Sequence, residues 1–399
     1  MDFTFTEEQQ AAAEAARAVF AGVAPDGVPS PSLVPGAVAD DFDRALWAKL
    51  ADADLLSLLL DPAYGGSGLD PIALCLVLRE SAKVLARVPL LESSAAAVAV
   101  QAHGNEELKA ELLARVGRGE VVLTVAAHGR TGHDPAELAV TARRDAGGVW
   151  ILDGVQTAVP WAHNADYIVI PATVAPESVN TSDAPYGAER NAVAATDGGT
   201  VLALVPCLHE GVTLAEQIST AGERLAELRL DAVRIADRDV LDAEGAWERL
   251  RELLATGTCA LALGLGEQVL GMTGDYAGKR EQFGFPIASF QAVAVQAADR
   301  FIDLRAMEAT LWQAAWRITS GAGGALPVSG DVAVAKIWAS EGVRRVVQTA
   351  QHLHGGFGAD VDYPLHRYHA WAKHLELSLG PAAAHEEALG DLLAAHPLG

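Results

Sequence analysis

From about residue 243 to its end the chain keeps a helical period, broken only at short glycine or proline positions, and this limits its fold more than any other feature. Apolar residues recur at helical spacing through 247–274, 290–321, 331–353 and from 365 onward. Runs of this kind bury their apolar stripes against one another, which predicts a bundle of four long antiparallel helices. The small residues Gly257, Ala260, Ala262, Gly264 and Gly266 in the first run read either as sites of close helix packing or as room for a cavity. One segment breaks the regularity. Residues 351–380 hold Gly355-Gly356-Phe357-Gly358, the acids Asp360 and Asp362, Pro364 and a cluster of basic and histidine side chains.

The first ~115 residues also read as helices. Thr6 and Gln9 have capping-box spacing, Phe42, Leu46, Trp47 and Leu50 recur at helical spacing, another helix covers about 71–85, and two shorter ones follow Pro89. Residues 61–68 are too rich in proline and glycine to be helical and form a turn. From Glu120 the pattern changes. Residues 121–125, 150–154, 167–170 and 201–205 read as strands with no long helix between them, which predicts a small antiparallel β domain. Residues 174–199 are polar and predict a loop. The expected chain is α+β and multidomain: an α-helical domain over 1–118, a β domain over 119–240 and a four-helix-bundle domain over 241–399.

A formal charge of −23 argues against nucleic acid as a partner, because phosphates need a basic face. No uncharged apolar run reaches the ~18 residues of a membrane span, and the N-terminus is acidic where a signal peptide would be basic. The expectation is a cytoplasmic chain without a membrane span. Cys75, Cys207 and Cys259 lie far apart in apolar sequence and read as buried reduced thiols. His352, His354, His366, His369, His374 and His385 crowd the last quarter without an H-E-x-x-H spacing. They read as structural or surface histidines, and no metal is expected. Serine chemistry has no G-x-S-x-G elbow.

Five motifs in order resemble the acyl-CoA dehydrogenase family. They are the opening Met1-Asp2-Phe3 with Glu7-Glu8-Gln9, the turn Asp61-Pro62-Ala63-Tyr64-Gly65-Gly66-Ser67-Gly68-Leu69, the hairpin start Trp150-Ile151-Leu152-Asp153-Gly154, the signature Arg280-Glu281-Gln282-Phe283-Gly284 followed by Phe290-Gln291, and His354-Gly355-Gly356-Phe357-Gly358 with Tyr363-Pro364 and Arg367. The resemblance implies FAD lying between subunits. Arg280 would pair its pyrophosphate, Gln282 and Phe283 would belong to the same cofactor-binding signature, and Gln291 would hydrogen-bond the dinucleotide. Gly355 and Gly356 would let backbone amides approach the adenosine half held by a neighbouring subunit, with His352 standing where the family often has glutamine.

The family's α,β-dehydrogenation of an acyl-CoA needs a carboxylate to take the Cα proton. Counting from the family's motifs places Leu379 at one of its two base positions and Leu254 at the other, and leucine has no proton-accepting atom. Glu376 lies three residues from the first position and is the alternative base; Glu252 lies two residues from the second. The family's T-E-P-G-x-G-S-D loop is replaced by residues 124–132, and Val159-Pro160-Trp161-Ala162 stands in place of its W-I-T-N pattern. These departures resemble an actinobacterial subclass of α2β2 heterotetramers acting on CoA thioesters of steroid side chains and other bulky acids. They imply a base-lacking subunit partnered by a second acyl-CoA dehydrogenase-like chain. The other readings are a self-sufficient homotetramer using Glu376 or another carboxylate, and a flavin-free binding relic.

Overall fold

The computed structural model describes residues 4–131, 137–145, 147–175 and 199–396. Met1 to Phe3 and nearly all of the polar loop expected over 174–199 lie outside the described residues. The predicted capping box opens α1 (Glu7–Phe20): Thr6 Oγ1 accepts from Gln9 N at 3.2 Å, and Thr6 N donates to Gln9 Oε1 at 2.9 Å. Asp43 caps α2 (Arg44–Asp52) and Asp70 caps α3 (Pro71–Lys83), each carboxylate accepting from a first-turn amide. With α4 (Leu90–His103) and α5 (Glu106–Gly117) they form the N-terminal helical layer.

The middle of the chain is one sheet. Its strands are β1 (Leu123–Val125), β2 (Val140–Arg144), β3 (Trp150–Pro160), β4 (Tyr167–Val174), β5 (Thr200–Pro206), β6 (Val212–Ile218), β7 (Arg224–Ile235) and β8 (Val240–Leu241). Their order is β6-β7-β3-β2-β4-β5-β8, with β1 beside β4. β4 runs parallel to β1 and β2, and the remaining pairs in this sheet are antiparallel. Sequence period identified β1, β3, β4 and β5 and missed the rest. β7 alternates from Leu228 to Leu230, but Ala232 takes a φ of 50° and shifts the apolar phase to Val233 and Ile235.

The C-terminal layer opens with α6 (Ala246–Lys279), the helix around which the other layers pack. It is long and apolar enough to cross a membrane, but 78% of its apolar window is buried inside the protein, as in a core helix. Close packing explains its small residues: a Cβ on Gly264 would stand 1.9 Å from the Arg79 carbonyl oxygen, so α3 can approach only a glycine there. A tight hairpin, β9 (Glu281–Gln282) and β10 (Phe285–Pro286), leads to α7 (Gln291–Ser320) and α8 (Val328–His354). The fourth expected run is instead two helices, α9 (Leu365–Leu377) and α10 (Ala382–Ala395). Leu379 and Gly380 both take positive φ, and Pro381 cannot donate to a continuing helix, so the run breaks there.

That break is clamped from below. Lys336 on α8 is wholly buried, and its Nζ donates to Ser340 Oγ at 2.7 Å and to the carbonyls of Glu376 and Gly380 at 3.2 Å each and Leu375 at 3.4 Å. These are carbonyls that the end of a helix leaves without partners. Lys336→Met would leave them buried and unpaired, and is expected to cost about 3 kcal/mol. A thermal midpoint equal to that of the wild type would show that the clamp contributes nothing.

Candidate functional site

A cavity of ≈ 650 Å³ lies where the N-terminal helices, the sheet and the C-terminal helices meet. Leu78 and Leu91 from α3 and α4, Leu261 from α6, and Leu375 from α9 make much of its wall apolar. Leu254 and Leu379, 125 residues apart in the chain, both line it. Among the described residues, three of the seven non-glycine residues with positive φ, Ala158, Trp161 and Leu379, also line it. Such strain persists only where the surroundings fix the backbone. At Leu379 they do. Its N–H donates to His128 Nε2 at 3.2 Å, its carbonyl oxygen lies 2.9 Å from His385 Nε2, and Lys336 holds the next carbonyl. At Ala158 the amide donates to Gln217 Oε1 at 2.8 Å.

The polar side chains of the cavity are ones that motif reading missed. Glu92 accepts from Trp161 Nε1 at 3.2 Å. Glu223 is 4% exposed, and its nearest ionic partner is His374 Nε2 at 3.7 Å. Burial raises both carboxyls to about 7; Glu223 adds to the rise at Glu92, while the Arg87 guanidinium pulls Glu223 the other way. Burial pushes His128 and His374 down to about 4, so both rings are neutral. His374 is therefore a cavity residue rather than the structural or surface histidine expected of it. A signal for Glu92 was present: it is the only Asp, Glu, Lys or Arg between Arg87 and Glu106. Glu223 carried none.

Glu376 is absent from the cavity wall. Its carboxylate is held by Lys373 Nζ at 2.7 Å, and its carbonyl by Lys336. Glu252 is likewise absent from the wall. The other expected site residues gather on an exposed face at the far end of α6. Arg280, Gln282, Phe283, Gln291 and His352 are exposed, and Phe283-Gly284 forms the hairpin turn with φ of 56° and 83°. Tyr276, one turn before Arg280, stacks on His354 at 4.3 Å, and His354 Nε2 lies 3.1 Å from Tyr363 Oη. This places Gly355 and Gly356 near the Arg280 end of α6.

The chemistry of that face suits an anion. Among the described residues, no hydrogen bond or ion pair engages the Arg280 guanidinium. A Cβ on Gly356 would meet nothing within 4 Å, so nothing in this chain accounts for the glycine, whereas a group from outside lying against the backbone would. The described residues contain no cluster of three or more His, Cys, Asp or Glu able to hold a metal, and the three cysteines are free and buried.

Residues 6–120 match the family described as Acyl-CoA dehydrogenase, N-terminal domain, and residues 251–393 match Acyl-CoA dehydrogenase, C-terminal domain. Acyl-CoA dehydrogenase FadE27 of Mycobacterium tuberculosis is 35% identical over 363 residues, covering 89% of this chain and 90% of the relative. Among solved structures, the ChsE4-ChsE5 complex from Mycobacterium tuberculosis is similar with a TM-score of 0.85 at 32% identity, covering 100% of both chains. A Tcur3481-Tcur3483 steroid ACAD variant is similar with a TM-score of 0.83 at 35% identity, covering 98% of each.

The two raised carboxyls make a testable statement about stability. Between an ordinary carboxylate value near 4.5 and their folded value near 7, the folded chain keeps protons that the unfolded chain has released. Their contribution to stability therefore falls as pH rises through that window. Glu92→Gln and Glu223→Gln are each expected to flatten the fall in thermal midpoint between about pH 5 and pH 8. Midpoint curves parallel to that of the wild type would place the titrations elsewhere.

Proposed function

Because the chain belongs to the acyl-CoA dehydrogenase family of FAD-dependent oxidoreductases, we propose that it is the subunit of a two-chain enzyme that frames the flavin and acyl-CoA sites without supplying the proton acceptor. One observation carries this reading: Leu254 and Leu379, the residues at the family's two base positions, line the same cavity. Neither side chain has a lone pair. Glu376 is not among the residues lining the cavity and its carboxylate is bonded to Lys373, which supports this reading; the carboxyls that do line it, Glu92 and Glu223, are the candidates for the self-sufficient alternative. Two of the similar structures are titled as pairs of chains, ChsE4-ChsE5 and Tcur3481-Tcur3483, which supports a second, acyl-CoA dehydrogenase-like subunit as partner.

The exposed face supports the same reading. Phe283 is 90% exposed and Ile302 63%, with Phe285 and Phe301 also more than half exposed, next to Arg280 and Gln291. Apolar groups left in water beside an unpaired guanidinium are the expected dress of a surface that another subunit covers. In this reading Arg280 holds the pyrophosphate of FAD, Gln282, Phe283 and Gln291 border the dinucleotide, and Gly355 and Gly356, with His352 beside them, receive the half held by the neighbour. When bound, FAD supplies the hydride acceptor. The chain's own contribution is to bind and orient the thioester and to keep water from it with an apolar wall. The substrate class is a bulky acyl group, in keeping with the similar steroid ACAD, Tcur3481-Tcur3483, and with the volume of the cavity.

Purified together with its partner, the chain is expected to give a yellow complex that oxidises acyl-CoA with a dye as electron acceptor. Alone, it should turn over at least ~100-fold more slowly, the usual effect of a missing general base. Comparable turnover by the chain alone would overturn the reading and favour a self-sufficient homotetramer; colourless protein and complex would favour a flavin-free relic. In the complex, Glu376→Gln should leave the rate within about twofold, since the Glu376 carboxylate is paired with Lys373 and is not itself part of the cavity wall.

A further inference from the structure

Glu223 is not accounted for by a leucine-walled cavity built for hydrocarbon. Its side chain is more than nine-tenths buried and lines the cavity, and among the described residues its carboxyl makes no hydrogen bond. His374 Nε2 stands 3.7 Å off and is neutral. A buried carboxyl with no donor is costly, and native proteins rarely leave one without a reason. The backbone here is not slack: Ser219 Oγ accepts from Glu223 N at 3.2 Å, Ser219 N donates to the Glu223 carbonyl at 2.9 Å, and Thr220 Oγ1 ties the same loop to the Ala370 carbonyl at 2.8 Å. The loop therefore holds the carboxyl in place and leaves its oxygens for something else.

Other donors at this end of the cavity are spare as well. His128 Nδ1 and Trp371 Nε1 are buried without partners among the described residues, and both side chains line the wall. Glu92 adds a second carboxyl, whose one bond is from Trp161. Cations already stand near. Arg87 is 5% exposed behind Glu223, bonded to Asp26 and to the Ala221 carbonyl, and Lys373 lies on the wall. A ligand cation would meet both charges; a neutral donor would meet neither.

We propose that the cavity takes an acyl group bearing a hydroxyl, which donates to Glu223. This rests on the reading that the cavity is the acyl site, and it adds the polar group the ligand must carry. A plain alkyl chain would fill the same space while leaving Glu223, His128 and Trp371 unpaired. Sites of this kind reject a ligand lacking the hydroxyl far more strongly than apolar sites reject an extra methylene.

The test is binding by calorimetry to the full-length chain. The ligands are dodecanoyl-CoA and a series in which one hydroxyl is walked from the middle of the acyl chain to its end. At least one member should bind ~10-fold or more tightly than the unsubstituted thioester. In Glu223→Leu, similar in size and facing the cavity, that preference should vanish and the unsubstituted thioester should gain affinity. Equal binding across the series, or a preference that survives Glu223→Leu, would overturn the proposal. The ligand series on the wild-type chain decides the matter even if the variant does not fold. Turnover is not read, so the outcome stands apart from the need for a partner. Binding of none of the thioesters would overturn the acyl-site reading itself, whereas equal binding would overturn only the hydroxyl preference.

Discussion

A single buried ammonium fixes the part of this protein where chemistry is expected. Among the described residues no carboxylate is bonded to Lys336, and its donors go to Ser340, the end of α9 and the turn beyond it. Burial lowers its affinity for a proton to about 8, still high enough to keep the charge at neutral pH. With that charge in place the helix stops at Leu377, Leu379 is driven into the left-handed region, and its side chain faces the cavity. The sheet meets the same turn through His128, and α10 meets it through His385. The middle and C-terminal layers thus converge on one residue without a titratable atom.

Much of the architecture was legible because it depends on local pattern. The capping box at Thr6, the strand at Tyr167 and the long runs in the C-terminal half each carry their own signal. What escaped depends on interruption or on distance. β6 has exposed residues on both sides of its pleat, and β7 changes phase at Ala232, so neither shows a sustained alternation. The break between α9 and α10 falls at Gly380-Pro381, and the lysine that caps it stands more than 40 residues upstream, where no local window contains it. The candidate site divides the same way. Leu254 and Leu379 could be named from motif spacing, but that they share a wall is a property of the fold. Glu92 and Glu223 come together across the helical layer and the sheet, and only their burial makes them unusual.

The two groups of expected site residues also differ in kind. Those in the cavity, Leu254 and Leu379, are buried, and Leu379 is held by the side chains of His128 and His385. Those on the α6–α7 face are exposed, with Arg280 unpaired among the described residues and, at Gly356, a glycine whose added Cβ would meet nothing. One part is finished by the chain itself, and the other is an edge.

That edge ties the fate of the chain to its surroundings. Phe283, Phe285, Phe301 and Ile302 are ordered in water at a cost that only contact can remove. Whatever covers them binds the folded chain and not the unfolded one, so by mass action it raises the folded fraction in proportion to its own abundance. Two chains coupled in this way would be kept in balance without any dedicated regulator, since a surplus of either is left with its aromatic face open to aggregation and proteolysis.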